Sequence, residues 1–254
     1  KEQKAEEEKT PETQQEMGQD KNLQAPEFDI EGSDRKAIKV VDKMMKAMGG
    51  RKNYDNTHYL EWNFFGMRKL IWDKWKGDVR IEFFDSDLKI LVNINDGKGK
   101  AFKDGKEVTD QASLAAFLKK GISIWINDSY WLVMPFKLKD PGVTLKYIGK
   151  EEDPFGNNAD VVDVTFKNVG DTPKNRYRMY IDNDSHLMTY RKYYEDASQE
   201  EATIATPWTN YKQYGSILLA SNRGERDITD IHVFKDLPES VFTSFEEVDL
   251  SQYK

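Results

Sequence analysis

Apolar positions along this chain follow two periods. In the first helical stretch, Ala37, Ile38, Val41, Met44, Met45 and Met48 fall on one face when wound at helical spacing. The spacing predicts a helix over residues 34–48, N-capped by Ser33 and stopped by Gly49-Gly50. Its methionine stripe reads as core. After Tyr54 the period becomes two. His58, Leu60, Trp62 and Phe64 alternate with Tyr59, Glu61 and Asn63, and Leu88, Ile90, Val92 and Ile94 share another face. Short polar turns such as Lys76-Gly77-Asp78 and Asn95-Asp96-Gly97 separate these runs, so an up-and-down antiparallel meander is expected.

A helical interlude follows. Thr109 or Asp110 is the expected cap of a stretch carrying Leu114, Phe117, Leu118, Ile122 and Trp125. Beyond it, Pro135 and Pro141 should break any long helix, with Asp128 capping or turning the chain at the end of the insertion. Strands are then predicted at 144–148, 161–167, 176–182, 186–194, 202–211, 217–221 and 228–234, with turns at Gly170-Asp171-Thr172-Pro173 and Asn183-Asp184. The total is eleven or twelve strands in one domain over residues 28–254.

Residues 1–27 break both patterns. They hold no aromatic residue and are dominated by Glu, Gln and Lys. Such a segment cannot offset its ordering entropy by burial, so a disordered acidic tether is expected. The first residue is Lys1, which fits a processed or engineered N-terminus with any signal peptide outside the visible chain. No apolar run approaches the ~18 residues of a membrane-spanning helix.

Composition narrows the function. A net charge of -7 argues against nucleic-acid binding, which needs a basic face, and against docking on anionic lipid by charge alone. Cysteine is absent, which removes disulfides, thiolate metal sites and cysteine nucleophiles together. The three histidines, His58, His186 and His232, lie far apart, unlike the clustered ligands of a zinc site. No nucleophile elbow and no phosphate-binding loop occurs. Gly97-Lys98-Gly99-Lys100 reads as a hairpin turn, not as a cradle between strand and helix. Carboxylates are plentiful, but no two are singled out as a catalytic pair. The reading is therefore a non-enzymatic protein with no catalytic residue, metal or cofactor.

The order of helix, five-strand meander, helical insertion and second strand series resembles the LolA/LolB-like fold of envelope lipoprotein carriers. It looks closer still to uncharacterised outer-membrane lipoproteins of that type. The residues that carry the likeness are Met48-Gly49-Gly50, the stretch from Asn127-Asp128-Ser129-Tyr130-Trp131 through Pro135-Phe136-Lys137-Leu138, and Asp140-Pro141-Gly142-Val143. The hairpin from Tyr180-Ile181-Asp182 to His186-Leu187-Met188 adds to it. The resemblance covers roughly residues 34–250. It implies a mainly β (α+β) fold, a curved antiparallel sheet of about eleven strands forming an incomplete barrel covered by helices, with apolar space able to hold acyl chains. It also implies an outer-membrane-anchored envelope lipoprotein, periplasmic or surface-exposed, whose lipid anchor lies outside the visible chain and whose acidic tail is the tether.

Two functions follow as expectations. The first is binding of a lipid or other apolar ligand in a half-barrel cavity, lined by Leu60, Trp62, Phe64, Trp72, Ile90, Val92, Trp125, Trp131 and Phe136. Moving an acyl chain from membrane to such a cavity is nearly neutral, which suits a carrier. A cavity of ~300 Å³ or more would favour this, and a solid interior would sink it. The second is an accessory or structural subunit of an outer-membrane protein complex, docking through the N-terminal tail or through exposed aromatic strands such as Tyr190–Tyr194.

Overall fold

The structure, a computed structural model, describes residues 22–167 and 174–253. Residues 1–21 of the expected tether and the expected turn at Gly170-Asp171-Thr172-Pro173 lie outside the described residues. Residues 22–27 lie against the domain. Asn22 donates to the Asp42 carbonyl and accepts from the Arg51 and Lys139 side of the molecule, and the Ala25 amide donates to the Lys139 carbonyl.

The first helix, α1, spans Arg35–Ala47. Its N-cap is Asp34, not Ser33. Ser33 sits one residue too early and bonds elsewhere: its hydroxyl donates to the Asp29 carbonyl and accepts from the Leu145 amide. Gly49 ends the helix at φ 105°, and a Cβ there would meet the Ser216 carbonyl oxygen at 2.3 Å, so the stop needs glycine on both counts. A short α2 (Arg51–Asn56) follows.

The meander forms β1 (Tyr59–Phe64), β2 (Arg68–Asp73), β3 (Asp78–Phe83), β4 (Lys89–Asn93), β5 (Gly99–Lys103) and β6 (Lys106–Glu107). The helix α3 (Gln111–Val133) then crosses the sheet, capped by Asp110, whose side chain accepts from the Ser113 amide at 2.8 Å. It approaches closely at Gly121, where a Cβ would meet Ile90 Cγ2 at 2.9 Å and Val92 Cγ1 at 3.3 Å. A tight 3-10 turn (Met134–Lys137) follows. The apolar stretch from Ile126 to Val133 is thus helix, and the break comes only at Pro135. Asp128 consequently neither caps nor turns the chain. It lies inside α3, fully buried, and takes a bidentate pair from Arg68 at 2.7 Å to each oxygen.

The second half holds β7 (Val143–Glu152), β8 (Asn158–Phe166), β9 (Arg176–Asp182), β10 (Met188–Tyr194), β11 (Ile204–Pro207), β12 (Thr209–Tyr214), β13 (Ile217–Asn222) and β14 (Ile228–Phe234). A one-turn helix, α4 (Ser240–Thr243), precedes the C-terminus.

The fold is mainly antiparallel β with a few helices, but the described strands number fourteen, in three sheets rather than one. The first sheet has the order β14-β1-β2-β3-β4-β5-β6, the second β11-β10-β9-β8-β7, and β12-β13 form a two-stranded third. The division has a local cause. The strand expected over 202–211 splits at Trp208, which is wholly buried, and Pro207 before it offers no amide to continue a ladder.

One core cluster joins α1, the 3-10 turn, the inner faces of the first two sheets and the third sheet. The back of the first sheet is covered by the C-terminal segment, where Leu237, Val241 and Leu250 pack on Tyr59, Ile71 and Phe234. Arg80 fastens that segment: it donates to the carbonyls of Val241, Ser244 and Glu246 and pairs with Glu82. No helix among the described residues is long and apolar enough to cross a membrane.

Candidate functional site

A cavity of about 810 Å³ lies between the C-terminal half of α3 and the second sheet. The helix contributes Ser123, Trp125, Ile126, Asn127, Ser129, Tyr130 and Trp131. The sheet contributes Phe166, Tyr177, Arg191, Tyr193 and Ile204. Lys137, Asp140, Pro141 and Val143 close one side. This is the volume and mixed lining of a small-molecule site.

The walls are aromatic for a sequence reason. On adjacent strands, Tyr177 lies opposite Tyr193 with ring centroids 5.1 Å apart. Tyr130 of α3 meets Tyr177 at 5.4 Å, and Phe166 stands edge-on to Tyr177 at 5.9 Å. Trp125 contacts the core through Trp72 at 5.2 Å, and Trp131 through Phe65 at 5.3 Å.

Among the nine residues expected to line a ligand site, Trp125 and Trp131 do line this cavity. The other seven do not. Leu60, Trp62, Phe64, Trp72, Ile90, Val92 and Phe136 are buried side chain against side chain in the main core, with Phe136 stacked on Tyr54 at 4.7 Å. The first sheet packs directly on α3 at Gly121, where Ile90 and Val92 meet the helix. The second sheet stands off and leaves the space.

Three charged residues line the cavity. Lys137 and Asp140 are paired with each other at 2.6 Å, and Asp140 also holds Arg51 at 2.9 Å. Arg191 is different. It is 2% exposed, and no acidic side chain among the described residues lies within ion-pair distance. Its guanidinium lies 3.8 Å over the Trp131 ring, with Trp208 at 5.2 Å and Tyr177 at 5.3 Å. Nη1 reaches only the Met134 sulfur at 4.0 Å, while Nε and Nη2 have no hydrogen-bond partner. Desolvation holds its pKa down at about 10. The Tyr130 hydroxyl and the Trp125 indole nitrogen are also without acceptors, and burial pushes the Tyr130 hydroxyl pKa well up.

Sequence reasoning missed Arg191 because strict alternation fails on this strand. Counted from buried Met188, alternation turns Tyr190 and Lys192 inward. A register shift between Met188 and Tyr190 reverses the phase, so Arg191 and Tyr193 face α3. Nor is Tyr190–Tyr194 the exposed aromatic strand expected for docking: Tyr194 is buried, Tyr190 and Tyr193 are half-buried, and β10 pairs with β9 and β11. Among the described residues, no three His, Cys, Asp or Glu side chains gather in a way that could hold a metal ion.

No family model matches the sequence, and no curated protein matches it. Solved structures do match in fold. A DUF1329 family protein from Desulfovibrio piger is 12% identical, with a TM-score of 0.44, over 82% of this chain and 97% of its own. A LolA superfamily protein from Nitrosomonas europaea is 8% identical, with a TM-score of 0.43, over the same shares. MucB, solved in complex with MucA(peri), is 12% identical, with a TM-score of 0.24, over 82% of this chain and 59% of that one. At these identities the likeness says nothing of a shared activity.

Proposed function

We propose that this chain is a non-enzymatic cell-envelope protein that holds a lipid or other apolar ligand in the cavity between α3 and the second sheet. The observation that carries the reading is the cavity itself: about 810 Å³, walled by Trp125, Tyr130, Trp131, Phe166, Tyr177 and Tyr193. A pocket this large is of the size that small-molecule sites have, and aromatic walls are what an acyl chain leaving a membrane would meet at little cost. In this reading the sheets are the walls of a half-barrel and α3 is its cover. Anchoring at the outer membrane through a lipid belongs to the same proposal.

The accessory-subunit reading has less to support it: the strand it relied on is not exposed, and residues 1–21 of the tail lie outside the described residues. Native mass spectrometry of full-length protein extracted gently from membranes tests the choice. The expected spectrum shows the protein with one lipid-sized adduct. A bare protein that also fails to take up added fatty acid or its ester would refute the reading, and a protein partner in place of lipid would restore the alternative.

A further inference from the structure

The ligand's polar end can be read from Arg191, the charged wall residue that has no counter-charge among the described residues. We infer that the cavity takes an amphiphile with a single anionic head of the carboxylate class, and that Arg191 receives that head. The inference rests on the proposed function and adds the ligand's chemistry to it.

Burying a guanidinium without a counter-charge costs several kcal/mol, and natural interiors avoid it. The other buried cations of this molecule follow that rule. Arg68 is bidentate on Asp128. Arg80 has Glu82 and three carbonyls. Lys139 has Asp42. Even Arg223, which lies 3.5 Å over the Trp208 ring without a carboxylate, donates to the carbonyls of Asn222, Trp131 and Ala220 at 2.7–3.1 Å.

Arg191 has the fewest partners of these: Nε and Nη2 both lack an acceptor, whereas Arg223 lacks one only at Nε. Trp131 covers its plane at 3.8 Å, while Nε and Nη2, the side-on pair of the guanidinium fork, meet no acceptor. That fork matches a planar carboxylate through two parallel hydrogen bonds. The Tyr130 hydroxyl, buried and without an acceptor, stands on the same cavity wall system and supplies a neutral donor beside it. The aromatic rings around them form a dry setting in which a charge-assisted bond is strong. A neutral lipid would fill the cavity and leave the arginine as it is. An acid would fill the cavity and complete it.

The test compares palmitate with methyl palmitate, which share a chain and differ in head charge, on the full-length protein by isothermal titration. The wild type should bind palmitate at least about tenfold tighter. Arg191→Met should bring that ratio to about one. Equal binding of acid and ester by the wild type overturns the inference and leaves the cavity reading standing. Failure of both ligands overturns both. A ratio that survives in Arg191→Met removes Arg191 from the role. A second measurement needs no variant: the carboxyl carbon of ¹³C-labelled palmitate bound to the wild type should titrate well below the free acid. An ordinary titration of that carboxyl would place the head away from Arg191 and overturn the proposal.

Discussion

Arg80 and Arg191 stand on different sheets, are 1% and 2% exposed, and are solved in opposite ways. Arg80, behind the first sheet, uses its guanidinium as a fastener. Nε meets Glu82 at 2.6 Å, and Nη1 and Nη2 hold the carbonyls of Val241, Ser244 and Glu246 at 2.6–3.0 Å. Arg191, inside the second sheet, has aromatic faces and a sulfur at 4.0 Å. In the first sheet region the buried charges are paired, although the Trp62 and Trp72 indole nitrogens meet no acceptor. In the second, Asp163 on the outer face takes both Arg176 and Arg178 at 3.0 Å or less. Arg191 stands at the wall of the cavity. A structural arginine and an arginine held for a ligand therefore differ not in burial but in whether the protein itself closes the donor set.

The largest expected effect comes from breaking the paired side. Arg80→Met removes one partner of a buried pair and leaves several carbonyls without donors, which should cost about 3 kcal/mol of unfolding free energy. Urea denaturation measures the loss. Limited proteolysis should show cleavage moving into residues 240–250, which Arg80 fastens. A variant as stable as the wild type would mean that the contrast between the two arginines is one of geometry without energy.

On the open side the sign should reverse. Arg191→Met exchanges an uncompensated buried cation for an apolar side chain of similar length. The loss of the ring contacts, worth about 2 kcal/mol when desolvated, offsets part of the gain. The ligand-free variant should be as stable as the wild type or up to about 2 kcal/mol more stable. A loss of 3 kcal/mol would show that Arg191 is a structural residue after all. The same contrast holds at half the size for two tyrosines. Tyr147 donates to Asp160 at 2.7 Å, so Tyr147→Phe should cost about 1 kcal/mol, whereas Tyr130→Phe removes an unpaired hydroxyl and should gain about 1 kcal/mol.

Much of the paired side was legible in the sequence, and the open side was not. Period-two alternation found the inner face of the first sheet, Leu60, Trp62 and Phe64 included, because that face is buried in one continuous apolar core. The same pattern could not say whether those side chains meet a ligand or each other, since both need an apolar face. The distinction is made by Gly121, which lets α3 close onto Ile90 and Val92. Trp125 and Trp131 were found through the apolar run of α3, although the run was read as broken where it is helical. Arg191 was hidden by one register shift in β10, and Asp128 by the missed continuity of α3, because its partner Arg68 lies 60 residues away in sequence.

The smallest effect checks a fully partnered carboxylate beside the second sheet. Asp29, in the segment before α1 and beside the start of β7, accepts from Lys167 at 2.7 Å, Thr144 at 2.6 Å and the Gly32 amide at 3.1 Å. The hydrogen bonds from Lys167 and Thr144 are the main cause of a carboxyl pKa lowered to about 2. In the unfolded chain the same carboxyl takes up its proton nearer the ordinary value of 3.8. Between those two values the unfolded state holds more protons, so stability rises with pH there. The contribution is fully present above the unfolded value and is lost as the pH falls through about 2. Asp29→Asn should flatten the acid limb of a stability-against-pH curve measured by urea denaturation, and the two curves should converge at the acid end. Curves that stay parallel from neutral pH to the acid end would show that this cluster contributes nothing.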